Sequence, residues 1–222
     1  MKNLSIVFIG ATGAVGSVVF HRFLHSPDVD KLLTLGRRIV DLKETPAGLE
    51  QKIIDIHNPA GYSEYVSGYD TAVCTLGVGE PTKMSKEDFI AIDKTAVLNF
   101  AKICKANGVK HFHLLSSIGT DSKSVNYYMR TKGELNEELG KLDFERLSIY
   151  QPSMIMTPHN RYGITQGIAL KVWPKLDYVL HGGYRRFRGI KADMLGKAIA
   201  NNVFTKKTGI EYLQYDDFLK LQ

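Results

Sequence analysis

The sequence predicts an α/β fold, a doubly wound parallel sheet with helices on both faces. Three features carry that expectation. Leu4 to Ile9 is an apolar run of strand length leading straight into Gly10-Ala11-Thr12-Gly13-Ala14-Val15-Gly16, after which Val15, Val18, Val19 and Phe23 recur at helical spacing. Strand-like and helix-like stretches then alternate as far as Tyr150, a pattern that calls for parallel strands joined by helical crossovers. The 222 residues are 44% hydrophobic and 23% charged, enough for one domain with its own core and too few for two full-sized ones.

Each element follows from its local pattern. Lys31 to Leu35 reads as a second strand ending at Gly36-Arg37-Arg38, Lys52 to Ile56 as a third and Thr71 to Leu76 as a fourth. A helix is expected from Lys86 to Asn107, with Phe89, Ile92, Ala96, Phe100 and Ile103 as its apolar stripe. Ser85 is placed to cap it and Gly108 to end it. His111 to Ser116 makes a fifth strand, a helix over Tyr128 to Gly140 follows, and Arg146 to Tyr150 makes a sixth. Beyond Pro152 the pattern loosens, with helices at Thr165 to Trp173 and Asp193 to Val203 and a short strand at Ile210 to Leu213. One domain over 1–222 is expected, with 153–222 supplying most of a small cap on the substrate side.

Composition narrows the function. No apolar run reaches the roughly 18 residues of a membrane span, and the first residues lack a signal-peptide pattern. Cys74 and Cys104 are spaced for neither a disulfide framework nor a metal site and read as buried thiols, which implies a cytoplasmic protein. The 29 Lys and Arg against 23 Asp and Glu leave a net charge of +6. These charges are scattered apart from Arg37-Arg38 and Arg185-Arg186-Phe187-Arg188, so a phosphorylated small molecule is expected rather than nucleic acid.

The glycine turn is the first candidate site. A dinucleotide pyrophosphate needs close backbone approach and the free N–H groups of a helix start, and Gly10, Gly13 and Gly16 stand between a strand and a helix as that requires. The expected fold is therefore Rossmann-like. The end of the second strand distinguishes the two nicotinamide cofactors. Arg37 and Arg38 lie about twenty residues past Gly16 with no carboxylate before Asp41, so NADP is expected, with NADPH preferred to NADH. Asp55 admits two readings: it meets the adenine amino group through its carboxylate or, with Ile56, its backbone, or it caps the next turn.

Tyr128 and Lys132 form the second constellation. Four residues apart, they share a helix face, whereas Tyr127 lies off it. A free phenol titrates near ~10, and an adjacent ammonium favours its phenolate and brings it closer to acid–base work. Ser117, at the carboxyl edge of the fifth strand, can hydrogen-bond a substrate carbonyl.

With Gly10-x-x-Gly13-x-x-Gly16, Cys74-Thr75-Leu76-Gly77, Leu114-Leu115-Ser116-Ser117, Tyr128-x-x-x-Lys132 and Gln151-Pro152-Ser153, the chain resembles the short-chain dehydrogenase/reductase superfamily in its atypical, extended-like branch. His111 to Ser117 together with Lys132-Gly133-Glu134 is more closely similar to the HIV Tat-interacting protein 2 family of oxidoreductase-like proteins, also described as regulators. The resemblance implies that Gly10, Ala11, Thr12, Gly13, Ala14, Val15 and Gly16 hold the pyrophosphate and that Arg37 and Arg38 hold the adenosine phosphate. It implies that Thr75, Leu76 and Gly77 line the channel to the ribose and that Pro152, Ser153 and Met154 border the nicotinamide. Tyr128 would donate the proton, Lys132 would hold the nicotinamide ribose and Ser117 would orient the carbonyl. The chain departs from the superfamily at Asp93, where many members carry an asparagine serving a water relay, and in its shorter tail.

The weaker candidates each have a plainer alternative. His111 and His113 share a strand face without a third ligand at suitable spacing, so no metal site is expected. His159, Asn160, Arg161 and Tyr162 are either a pocket edge or a solvated loop. Tyr184, Arg185, Arg186 and Arg188 either meet an acidic substrate or partner or form a solvated basic loop. Two functions stand open: an NADP-dependent oxidoreductase of a small carbonyl or alcohol, and a non-catalytic NADP(H) sensor that controls a protein partner.

Overall fold

The computed structural model describes residues 3–78, 84–157 and 180–222. Its strands are β1 (Leu4–Ile9), β2 (Val29–Gly36), β3 (Leu49–Ile53), β4 (Thr71–Cys74), β5 (His111–Leu115), β6 (Arg146–Tyr150), β7 (Ile155–Met156), β8 (Ile190–Lys191) and β9 (Gly209–Leu213). Seven of them form one sheet in the order β3-β2-β1-β4-β5-β6-β9, every pair parallel. Chain order reverses between β1 and β4, so a crevice opens beyond the carboxyl ends of these two strands.

Side chains alternate across the sheet because strand periodicity is two. Val7, Ile9, Leu33, Leu35, Phe112 and Leu114 face the core under α3 (Val97–Ala106) and α4 (Tyr127–Gly140). Ile6, Phe8, Leu32 and Val73 face the opposite core under α1 (Gly16–Leu24) and α5 (Ala192–Val203). The helix expected from Lys86 runs as α2 (Lys86–Ile90), a wider π-helical stretch (Ala91–Ala96) and then α3. Ser85 Oγ accepts the Asp88 N–H at its start, and Gly108 leaves its end at φ +83°.

Two expectations shift. The third strand is not 52–56 but Leu49–Ile53. It is an edge strand whose middle residues, Glu50, Gln51 and Lys52, are polar, while the apolar density that marks it in sequence falls on Ile54 and Ile56, buried just past its end. Of 153–222, α5 and β9 belong to the main layers and not to a cap, because β9 pairs with β6 and α5 packs on α1. A final helix, α6 (Tyr215–Lys220), buries Phe218 and is closed by a reciprocal Gln214–Asp217 cap. The helix expected at Thr165 to Trp173 and the stretch His159 to Tyr162 lie outside the described residues.

Candidate active site

The glycine turn closes tightly onto the loop after β4. Gly10 has φ +100°, and a Cβ there would lie 2.6 Å from Thr75 Oγ1 and 2.7 Å from the Leu76 nitrogen. A Cβ on Gly16 would stand 2.1 Å from the Gly10 carbonyl oxygen, so only glycine fits either place. That carbonyl accepts the Gly13 N–H at 3.0 Å and the Thr75 hydroxyl at 3.1 Å. Ala11 and Val15 are buried, Ala14 is half-buried and Thr12 is exposed. No side chain caps α1 and no carboxylate lies in its first turn, which leaves its positive end to a ligand anion.

Arg37 and Arg38 are both exposed just past β2, and neither has an ion-pair partner among the described residues. Asp55 is exposed and its Oδ1 accepts the His57 N–H at 2.9 Å, so its carboxylate caps the turn after β3. Ile56, beside it, is buried.

Deeper in the crevice lies Lys132. Its side chain is only 7% exposed, and its Nζ is 2.6 Å from Asp93 Oδ1. The other Asp93 oxygen accepts the Val78 N–H at 2.7 Å, and a Cβ on Gly77 would come within 3.2 Å of Asp93 Oδ1 and 3.7 Å of Lys132 Nζ. The glycine turn, the Thr75–Val78 loop and the ammonium are thus contiguous. Burial pulls the Lys132 pKa down, but Asp93 and Tyr128 outweigh it and leave it above the ordinary lysine value. The Cys74 thiol, pushed up to about 12 by burial, stays neutral beside them.

Tyr128 is half-buried on α4, its ring 5.4 Å from that of Phe89. Tyr127 meets the same phenylalanine edge-on. Asn126 Oδ1 caps α4 through the Tyr128 and Met129 N–H groups. Gly133 lets the loop after β5 lie on α4, since a Cβ there would stand 2.3 Å from the Asp121 carbonyl carbon. Ser117 is half-buried in that loop, and its hydroxyl reaches the Ile118 carbonyl at 3.5 Å, too long to hold it. The Ile118 N–H donates to the Pro152 carbonyl at 3.0 Å, which joins the Ser117 loop to Pro152, Ser153 and Met154.

Sequence reasoning missed two parts of this arrangement. The first is the pairing of Asp93 with Lys132, whose signal was a carboxylate among the apolar residues of a helix stripe. The second is a chain of side chains behind Ser117: Ser116 Oγ to Asn136, Asn136 to Thr120, Gln151 to Thr120 and Gln214 to Gln151, at 3.0–3.2 Å. The basic loop is largely spoken for: Arg185 pairs with Asp216 at 2.7 Å, and Arg188 donates to the Leu180 carbonyl. His113 is buried against the Tyr150 hydroxyl at 2.9 Å, and among the described residues no three potential ligands gather for a metal.

A match to the family described as NAD(P)H-binding spans residues 10–146, from the first glycine of the turn to the first residue of β6. The chain belongs to the NAD(P)H-binding family. This NAD(P)H-binding protein is 29% identical to protein HTATIP2 of Rattus norvegicus over 100% of its own length and 90% of the relative's. It is 30% identical to protein FMP52, mitochondrial, of Candida albicans (strain SC5314) over 78% and 77% of the two chains. Among solved structures it resembles MoeE5 in complex with UDP-glucuronic acid and NAD, with a TM-score of 0.72, 13% identity and coverage of 94% and 75%. It also resembles Helicobacter pylori ADP-L-glycero-D-manno-heptose-6-epimerase, with a TM-score of 0.66, 16% identity and coverage of 99% and 80%. These neighbours share its Rossmann-like α/β fold. No helix among the described residues is long and apolar enough to cross a membrane.

Proposed function

We propose that this protein is an NADP-dependent oxidoreductase of the short-chain dehydrogenase/reductase type, acting on a small carbonyl/alcohol pair. The observation that carries the reading is Lys132, an ammonium kept charged in the interior, beside the loop that touches the glycine turn and one helical turn from Tyr128. The residues present fit a dinucleotide. The turn over Gly10–Gly16 leaves a helix start open to pyrophosphate, the unpaired Arg37 and Arg38 suit a 2′-phosphate, and Lys132 has two ammonium protons to offer ribose hydroxyls. Ile56, Thr75, Leu76 and Gly77 line the path between them, and Pro152, Ser153 and Met154 close it.

When bound, NADPH supplies the hydride to the carbonyl carbon. Tyr128 gives its phenolic proton to the carbonyl oxygen, and Ser117 Oγ donates a hydrogen bond to the same oxygen. Lys132 holds the ribose and stabilises the phenolate left behind. The cap over the substrate is assigned to 153–157 and 180–191. Buried, unpaired Cys74 and Cys104 support the reducing, cytoplasmic setting.

The test is NADPH consumption across a panel of aldehydes, ketones and quinones. Tyr128→Phe should lower turnover about 10²–10⁴-fold while leaving NADPH affinity in place, and Tyr127→Phe should keep most activity. A Tyr128→Phe protein that works at the parent rate removes Tyr128 as proton donor. If NADPH binds and no carbonyl on the panel is reduced, the cofactor-sensing reading with a protein partner takes its place.

A further inference from the structure

Asp93 and Lys132 reach each other from different helices, and both are withdrawn from water, with side chains 1% and 7% exposed. Asp93 lies within the π-helical stretch, a wider turn of the kind found where a helix re-aims a side chain at a working site. Its Oδ2 is fixed by the Val78 N–H. Its Oδ1 faces Lys132 Nζ at 2.6 Å. Among the described residues the ammonium has no other side-chain partner closer than this. The pair sits directly under Gly77, where a Cβ would come within 3.2 Å of Asp93 Oδ1 and 3.7 Å of Lys132 Nζ.

We infer that Asp93 is a positioning residue that holds Lys132 as a fixed ammonium beneath the loop after β4, with its remaining protons left for the cofactor ribose. The inference rests on the reading of Lys132 as the ribose-binding lysine and adds what keeps it charged. Alone in this interior, a lysine would shed its proton, since burial penalises the ammonium and not the neutral amine. Asp93 reverses that balance, and the backbone N–H of Val78 keeps the carboxylate itself in place. The groups facing Lys132 are Asp93 from the π-helical stretch, Tyr128 from its own helix and the Cys74 thiol from β4. Cys74, at about 12, contributes no charge.

The experiment is NADPH affinity against pH, by fluorescence titration between about pH 7 and 10, on the parent protein and three variants. Repeating it in a Tyr128→Phe background removes the phenol's own share. Affinity in the parent should be flat over most of this range. In Asp93→Asn, which keeps the acceptor for Val78 but drops the charge, affinity should fall about tenfold from pH 7 to pH 9 as Lys132 loses its proton. Asp93→Glu should restore the flat profile. Asp93→Asn combined with Lys132→Met leaves no buried charge, so it should fold, and it should bind about tenfold more weakly at every pH. A flat Asp93→Asn profile at any affinity overturns the inference, because a merely structural carboxylate would weaken binding equally across pH. If Asp93→Asn does not fold, Asp93→Glu decides: a profile that falls with pH while the charge is retained overturns the inference, and a flat one supports it. A double variant that binds as tightly as the parent instead removes Lys132 from the cofactor site, which is a failure of the proposed function and is read separately.

Discussion

Two buried cations, each paired with a carboxylate, stand at opposite ends of the same sheet, and their pairs are built differently. Arg146, fully buried at the amino end of β6, gives Nε and Nη2 to Glu211 at 3.2 and 2.7 Å and Nη1 and Nη2 to Thr205 at 2.7 and 2.9 Å. Glu211 in turn receives Ser148, Asn202 and Lys207, and Asn202 passes the network on to Tyr150 and His113. Lys132, at the carboxyl edge, has Asp93 and nothing comparable around it. Arg146 spends four of its five N–H donors inside the protein, which locks strands and helices together and turns nothing towards the crevice. An unsaturated pair holds a charge in place and keeps its remaining donors for something that arrives. Burial and pairing alone do not mark a functional residue; unused hydrogen-bonding capacity in a crevice does.

Four consequences of this difference can be measured. Arg146→Met should cost about 3–5 kcal/mol in urea unfolding, because it strands the Glu211 network, and should move NADPH affinity by about twofold at most. An equal loss of affinity would mean that the two pairs are not separate in function. Acid should act on the same end of the sheet. The carboxyl of Glu211 resists ionisation through burial, but its hydrogen bonds from Ser148, Asn202, Arg146 and Lys207 win and hold its pKa down at about 2. A depressed acid contributes stability above its unfolded value, and that contribution disappears as pH falls through the folded one. On the order of 3 kcal/mol should therefore be lost between about pH 4.5 and 2. Acid unfolding followed by circular dichroism checks this, and Glu211→Gln should flatten the curve.

On the crevice side the effects should appear in cofactor binding. Arg37→Ala with Arg38→Ala removes the charge-assisted bonds available to a 2′-phosphate, so NADPH should lose about 1.5–3 kcal/mol of affinity while NADH loses little. Parallel titrations of the two cofactors decide it, and an unchanged NADPH preference would sink the arginine assignment. Thr75→Val keeps the shape but cuts the bond to the Gly10 carbonyl, which should lower stability by about 1 kcal/mol, measurable as a drop in Tm. A larger drop would show that the glycine turn is tethered as firmly as the Arg146 network.

Much of this is legible in local sequence patterns. The alternation of strands and helices, the glycine turn and the face shared by Tyr128 and Lys132 are local patterns, and each came out within a residue or two of its place. The third strand was displaced because an edge strand is polar and the isoleucines after it are what the core takes in. In sequence the last seventy residues resemble a cap because the partners of β9 and α5, β6 and α1, lie far back in the chain. The capped start of α6 lacked the serine or threonine by which such starts are usually recognised.

Whatever depends on neighbours along the chain is already written in the sequence. Glycines at 10, 13 and 16 permit one kind of turn, a strand before and a helix after give it one use, and a spacing of four sets a phenol and an amine on one face. What those groups meet is set by packing between elements distant in the chain. Asp93 and Lys132 are strangers in sequence, and nothing in either segment requires them to touch. They meet because β4 and β5 pair side by side in the sheet, so that the helix between them and the helix after β5 pack together. The same closure sets Gly77 above the pair and the Gly10 carbonyl against Thr75. Charge in a protein interior is fixed by its surroundings in space, and those surroundings exist only once the chain has folded.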